Sequence, residues 1–199
     1  MKNLKMLPIK IWRKSIFIAR NVIYSLHLKT ITEKDYGNII ICGTARKGLK
    51  DVYEIYTCLN NNTQPEISRR ILFFLLSKKY VLSAKDKTTG KIIGTSWYYR
   101  NKRDFTEKTI HAGFLGVLPE WRKEMVGIML PVHSVDHFKN SNLRGISGRI
   151  SLCNPSSLTT NMYVGFKPVE KYFCEDTNEE RYYLICPLND SFCWNFIQE

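Results

Sequence analysis

The residues best suited to chemistry lie in "GVLPEWRKEMVGIML", positions 116–130. A strand-like run turns at Pro119, passes Arg122 and Lys123, and reaches Gly127 before an apolar, helix-like segment. A helix leaves its first amides unpaired at the positive end of its dipole, so a turn of this kind suits a phosphate. Lys123, Glu124, Met125, Val126 and Gly127 would present amides in succession. Arg122 adds a planar fork and Lys123 a compact charge. Met125 is expected to forbid a positive φ and the closest approach that glycine permits. Six positions before Val117, His111 is the first candidate for a general base, with an ordinary pKa near ~6.5. Period-two alternation is expected to set His111, Gly113, Leu115 and Val117 on one side of their strand. Gly113 and Gly116 suggest a bulge, at which the N–H near Leu115 or Val117 could polarise a carbonyl. Glu107 is a second candidate base, expected in the preceding turn. The plain alternatives are a histidine that hydrogen-bonds within a sheet and a basic turn that is only solvated.

The elements that must position these groups follow from pattern. "NIIICGTARKGLKD" (38–51) reads as a strand and loop, and 49–59 and 65–80 as consecutive helices. "YVLSAKDKTTGKIIGTSWYYR" is two β-rich runs joined at Lys87-Thr88-Thr89-Gly90, a hairpin. "TIHAGFLGV" (109–117) is a third strand, and a helix opens near 123, with Pro131 expected to kink or shorten it. Then come "GISGRISLC" (145–153) as strand, "PSSLTTNMYV" as helix, and "FKPVEKYF" and "RYYLICPL" as strands. Hairpins demand antiparallel pairs, while the crossover at 109–153 demands a parallel one, so the class is α/β with a mixed sheet.

With that order of elements, 117–130 resembles a motif of the GNAT superfamily of acyl-CoA N-acyltransferases, which runs V-x-P-x-x-R/Q-x-x-G-x-G/A. Val117, Pro119, Arg122 and Gly127 match, and Met125 stands where the first glycine belongs. Asn154, with Ser157 on a Ser/Ala position and "GF" eleven residues on at 165–166, resembles a second segment of that family. The resemblance spans about residues 33–188. It implies a mostly antiparallel sheet of about seven strands, a parallel split between the family's fourth and fifth strands, and about four flanking helices. It also implies acetyl-CoA, or another acyl-CoA, as co-substrate, no metal, and direct attack by a primary amine in a ternary complex. The implied CoA contacts are Leu115, Val117, Arg122, Lys123, Glu124, Met125, Val126, Gly127, Ile128, Asn154 and Ser157. Many members carry a glutamate base where this chain has His111. The family's usual tyrosine acid falls on Asn161, and Tyr163 lies two residues on, turned by roughly 200° on a helix. Tyr163 is therefore the displaced candidate acid, with Ser157 or water as alternatives. Asn154 would touch the pantetheine arm or the thioester and also cap the following helix.

The totals agree with one domain (33–199) and an N-terminal extension (1–32). At 199 residues and 44% apolar content the chain can bury a core. Six cysteines (42, 58, 153, 174, 186, 193) form no CxxC pair and read as buried thiols of a reducing compartment. Of the net charge of +12, residues 1–32 contribute seven Lys/Arg and no acid. The rest holds 23 basic against 18 acidic residues. Such a distribution argues against nucleic acid, which needs a basic stripe on the domain itself. The extension has no apolar run long enough to span a bilayer. Ile9, Trp12, Ile16, Ala19, Ile23 and Leu26 step along one helical stripe. Two readings follow, a helix packed on its own domain or on a second subunit, as in a homodimer, and an interfacial helix on anionic lipid. The expected location is cytoplasmic, with peripheral contact at the inner face of the membrane under the second reading. Trp97, Tyr98 and Tyr99 beside Arg100, Lys102 and Arg103 suggest a platform for a small acceptor bearing carboxylate or phosphate, or else a solvated hairpin tip. Gly113 and Gly116 are expected to leave room for a longer acyl chain. A competing reading keeps the fold without turnover, as a binding or membrane-attached regulatory module.

Overall fold

The computed structural model describes residues 6–189 and 194–197. Cys193 and the first five residues of the expected extension lie outside them. Eight strands form one sheet: β1 (Lys34–Asp35), β2 (Ile39–Gly43), β3 (Val81–Asp86), β4 (Ile92–Tyr99), β5 (Thr109–Val117), β6 (Gly145–Ser151), β7 (Lys167–Cys174) and β8 (Glu179–Pro187). Their order is β1-β2-β3-β4-β5-β6-β8-β7. Every neighbouring pair is antiparallel except β5 and β6. The helices are α1 (Met6–Ser25), α2 (Leu49–Leu59), α3 (Ile67–Tyr80), α4 (Lys102–Glu107), α5 (Val126–Lys139) and α6 (Pro155–Val164). The expected mixed architecture is present, with one strand and one helix more. Strand β1 is two charged residues and carries no apolar pattern to read. Helix α4 replaces the expected hairpin tip. Its capping box, with Asn101 accepting from the amides of Arg103 and Asp104 and Asp104 reaching back to the Asn101 amide, starts a helix inside a polar run.

Cross-strand partners share a face, which fixes two sides of the sheet. Trp97 and Tyr99 of β4 pair with Phe114 and His111 of β5. Trp97 stacks on Tyr56 of α2 at 4.8 Å and meets Phe73 of α3 edge-on at 5.3 Å, so this is the α2/α3 face. Tyr98, Ser96 and Gly94 pair with Ala112, Leu115 and Val117 on the other face. There Tyr98 packs on Phe138 of α5. A Cβ on Gly94 would lie 2.9 Å from Val126, so α5 sits directly on the backbone. Trp97, Tyr98 and Tyr99 are thus core, not a binding platform. Arg100 is buried with them, its N–H donated to Asn21 Oδ1 at 2.7 Å.

The register corrects two expectations. Trp97 faces Phe114 while Tyr98 faces Ala112, so Gly113 is the extra residue of a β-bulge. One inserted residue reverses the alternation beyond it, and His111 lies on the opposite face from Leu115 and Val117. The bulge falls at Gly113 because the Tyr99 ring covers that backbone: a Cβ there would come within 2.2 Å of Tyr99 Cε1. A Cβ at Gly116 would meet Phe114 at 2.5 Å and Leu59 at 2.8 Å. The space that these glycines were expected to leave for a longer acyl chain is filled by protein. The expectation of uniformly buried thiols also fails, since Cys42 and Cys186 are buried but Cys58 and Cys153 are exposed.

Candidate active site

Parallel pairing of β5 with β6 runs from Thr109–Gly145 to Ala112–Gly148 and ends there. Both strands continue, β5 to Val117 and β6 to Ser151, without pairing with each other. A wedge therefore opens between them, closed at His111 and Ser147 and open toward the start of α5. After Val117 the chain passes through a 3-10 helix, Pro119–Glu124, before α5 begins at Val126. Arg122, Lys123 and Glu124 belong to that tighter helix and are exposed. Between the two helices Met125 adopts φ 60°, ψ 9°, the left-handed conformation it was expected to forbid. That conformation costs a non-glycine residue about 1–2 kcal/mol. Its carbonyl accepts from the amides of Ile128 and Met129 at 2.9 and 3.0 Å, so the Ile128 amide is not free for a ligand. Val126 and Gly127, the first residues of α5, hold the amides that an α-helix leaves without partners. A Cβ on Gly127 would touch only Val117 Cγ2, at 3.9 Å. The protein does not itself require glycine at 127, as it does at 94, and the space above that backbone is open to a ligand. Helix α5 runs through Pro131 without ending.

His111 is 6% exposed at the closed end of the wedge. Its Nδ1 lies 3.0 Å from Ser147 Oγ, and Ser147 donates its only hydroxyl proton to Asp104 Oδ1 at 2.6 Å. Ser147 must therefore accept, so the imidazole proton sits on Nδ1 and Nε2 carries the lone pair. Nε2 makes no hydrogen bond among the described residues. Burial pushes the His111 pKa down to about 4 from its ordinary value. Asp104 works against this, while Arg149 and Arg69 reinforce it. The imidazole is neutral at pH 7, as a base must be, but weaker than the sequence suggested. Asp104 is fixed in turn by Thr109 Oγ1 at 2.8 Å and the Asn101 amide at 2.9 Å.

Two arginines stand on the His111 face. The guanidinium of Arg69, in the first turn of α3, lies 5.0 Å from the centre of the Tyr99 ring, whose own centre is 5.3 Å from that of His111. Arg149 follows Ser147 by two residues on β6, just past the point where the strands part, and is exposed. Neither makes a salt bridge among the described residues. Arg103, by contrast, is held by Glu107 at 2.7 Å and Glu170 at 2.6 Å. Glu107 also accepts the Tyr183 hydroxyl at 2.5 Å, which leaves it poorly placed as a second base.

On the far side of the wedge, Asn154 caps α6, its Oδ1 accepting from the Ser157 amide at 3.1 Å. Asn161 donates to the Ser157 carbonyl at 2.8 Å and so belongs to the helix's internal bonding. Gly165 ends α6 at φ 105°, and Phe166 is buried at 3% exposure, giving "GF" a structural reason as well. Tyr163 is 74% exposed on α6. The structure thus gathers His111 at one end of the wedge and Arg122 to Gly127 at the other. Asn154 and Ser157 stand at the β6 end, and Tyr163 projects to solvent. Asp104, Ser147, Arg69 and Arg149 escaped the sequence reading. Asn101-x-x-Asp104 carried a capping signal, whereas Ser147 and Arg149 join the site only through strand register.

No family model matches the chain, and no curated protein matches it in sequence. Solved structures do. A chain of the NatC complex bound to Gag peptide and CoA superposes with a TM-score of 0.65 at 16% identity, over 77% of this chain and 100% of that one. The yncA putative acetyltransferase from Salmonella typhimurium, with acetyl-CoA, gives 0.63 at 16% identity, over 79% and 98%. Arabidopsis thaliana Naa50, with the bisubstrate analogue CoA-Ac-MVNAL, gives 0.62 at 14% identity, over 75% and 98%. Wedge, bulge, strand order and these superpositions lead to one conclusion: this chain has the fold of the GNAT acetyltransferases.

Proposed function

We propose that the protein is an acyl-CoA-dependent N-acyltransferase, with acetyl-CoA as the first donor to test, acting on a primary amine that also carries an anionic group. One observation carries the reading: a neutral histidine with a free Nε2 closes a wedge whose other end is an open helix start beside Arg122 and Lys123. The amides of Val126 and Gly127 with those two cations hold the pyrophosphate. The pantetheine arm runs up the wedge along the unpaired edge of β5 at Leu115 and Val117, with Asn154 and Ser157 across from it. The amine lone pair attacks the thioester carbonyl, the C–N bond forms, and the C–S bond breaks with its electron pair leaving on sulfur. Nitrogen becomes strongly acidic as it bonds to carbon, and its proton passes to His111 Nε2. A base with a pKa of about 4 serves that late transfer better than it would deprotonate a free alkylammonium near ~10. The thiolate takes its proton from Tyr163 or from water, alternatives that Tyr163→Phe separates.

Arg69 and Arg149 support the acceptor class. Two cations outside any salt bridge near the base favour the neutral form of an incoming amine but repel an ammonium. An acceptor with its own carboxylate or phosphate satisfies both requirements. The reading as a module without turnover rests on Met125 in place of a glycine and Asn161 in place of a tyrosine, and Met125 takes up the left-handed backbone conformation that a glycine would. The test is release of CoA thiol from acetyl-CoA with neutral, cationic and anionic primary amines. Anionic amines should turn over fastest, and acetyl-CoA alone should raise the melting temperature by mass action. No thermal shift with any acyl-CoA would remove the donor site. A preference for cationic amines would remove the acceptor class alone.

A further inference from the structure

Helix α1 packs against α3, but not with the stripe its sequence advertises. Its inner side is built from Asn21 and Ser25, 0% and 2% exposed, with Phe17 and Val22 partly buried. Asn21 exchanges two hydrogen bonds with the Arg100 backbone, at 2.7 and 2.8 Å, and its carbonyl accepts from Tyr80 Oη. Ser25 O accepts from Lys79 Nζ at 2.6 Å. These polar contacts across the interface fix the helix in rotation.

At about 100° per residue, the side opposite Asn21 and Ser25 is the row Ile9, Trp12, Ile16, Ala19, Ile23 and Leu26. Trp12 is 67% exposed, Ile23 64%, and Leu26, just past the helix end, 77%. Single exposed apolar side chains are ordinary, but a row along a 20-residue helix is not. Arg13 and Arg20 border the row and are exposed, and the first 32 residues hold no acid. Arg20 leans on the Phe105 ring at 5.9 Å, which brings exposed Lys102 of α4 to the same rim.

We propose that this outer face of α1 docks the protein, in plane, on an anionic lipid bilayer. The row enters the boundary between headgroups and acyl chains, and the bordering arginines meet the headgroups. No helix among the described residues is long and apolar enough to cross a membrane. Charge decides between a membrane and a second copy. A two-fold pairing of the row would bring Arg13 and Arg20 of both copies together with no acid to offset them, whereas an anionic headgroup layer complements them. Lys14 takes no part, since it is paired with Glu66 at 3.0 Å.

The test is co-sedimentation of the full-length protein with vesicles of phosphatidylcholine alone and of an equal mixture of phosphatidylcholine and phosphatidylserine. The protein should pellet with the mixed vesicles, release as salt rises, and blue-shift its tryptophan emission on binding. The double variant Trp12→Glu/Ile23→Glu changes only exposed positions and should partition at least about tenfold more weakly. Arg13→Glu/Arg20→Glu should abolish the preference for phosphatidylserine. Wild-type protein left in the supernatant with mixed vesicles overturns the proposal, as does equal pelleting of the Trp12/Ile23 variant. Dimerisation lost in that variant, with no vesicle binding by the wild type, assigns the face to a second copy instead. CoA-thiol release in solution should be the same for wild type and variant, so this test stands apart from that of the acceptor.

Discussion

Arg100 and Arg103 follow three aromatic residues in the sequence and draw the eye as a binding cluster, yet protein encloses them. Arg100 lies between the Tyr24 and Phe105 rings, 3.9 and 4.5 Å from their centres, and donates to the Asp104 carbonyl at 2.6 Å. Arg103 stacks on Tyr183 at 3.7 Å and is held by two glutamates. Arg69 and Arg149 are 80 positions apart, have no motif in common, and make no salt bridge among the described residues, and both act on His111. The first pair builds the support: it fixes α4, and through Asp104 and Ser147 it fixes the tautomer of His111. The second pair is the one proposed to meet the acceptor. Arg103 is held in salt bridges and Arg100 between two rings, whereas Arg69 leans on the single ring of Tyr99 and Arg149 is exposed.

His111 joins the two groups, so its removal should have the largest effect. His111→Ala should lower kcat by about 10²- to 10⁴-fold, the usual yield of a positioned base, with acetyl-CoA affinity unchanged by calorimetry. Weakened CoA affinity with an intact rate would retire it as the base. Next comes Arg100→Ala, which leaves the Asp104 carbonyl and two aromatic faces unfilled. It should destabilise the fold by about 3 kcal/mol in urea unfolding, while the KM for the acceptor stays level. A rise in that KM without loss of stability would erase the distinction drawn here.

Arg69→Ala and Arg149→Ala should each raise the KM for anionic acceptors by about tenfold, or ~1.4 kcal/mol. They should leave the melting temperature and the KM of uncharged amines alone. Equal losses for both kinds of amine would count against an anionic acceptor. The last effect is on pH dependence. Burial holds His111 at about 4, below its ordinary value of 6.5, and His137 likewise. A histidine depressed on folding binds more protons when unfolded, so its stability contribution is whole above pH 6.5 and drains away as pH falls toward 4. The melting temperature should be flat from neutral pH down to about 6.5 and fall below that, less steeply in His111→Asn. A curve that rises on acidification would contradict the burial of these imidazoles.

Much of the fold was legible because its rules are local. The Lys87–Gly90 hairpin, the helices at 49–59 and 155–164, and the crossover that forces one parallel pair all follow from turn chemistry and periodicity within a few residues. The cap at Asn154 was readable for the same reason, whereas the helix expected to open near 123 begins at Val126, because a 3-10 helix takes up Pro119–Glu124. What misled was equally specific. Alternation along 109–117 pointed His111 to the side of Val117, and one inserted residue at Gly113 reversed it. Met125 was expected to refuse the left-handed conformation and adopts it, because the step from a 3-10 helix into α5 demands that turn whatever the residue.

The sequence by itself determined the class of fold and the order of its elements, since each depends on neighbours along the chain. Only the tertiary structure decided which side of the sheet His111 faces, which nitrogen holds its proton, which arginines stand in salt bridges, and which side of α1 meets solvent. Those four outcomes turn on contacts between residues far apart in the chain, His111 with Ser147, Ser147 with Asp104, Tyr99 over Gly113, and Asn21 with Arg100. Register and helix rotation are set where the whole core packs, and no stretch of sequence carries that information alone.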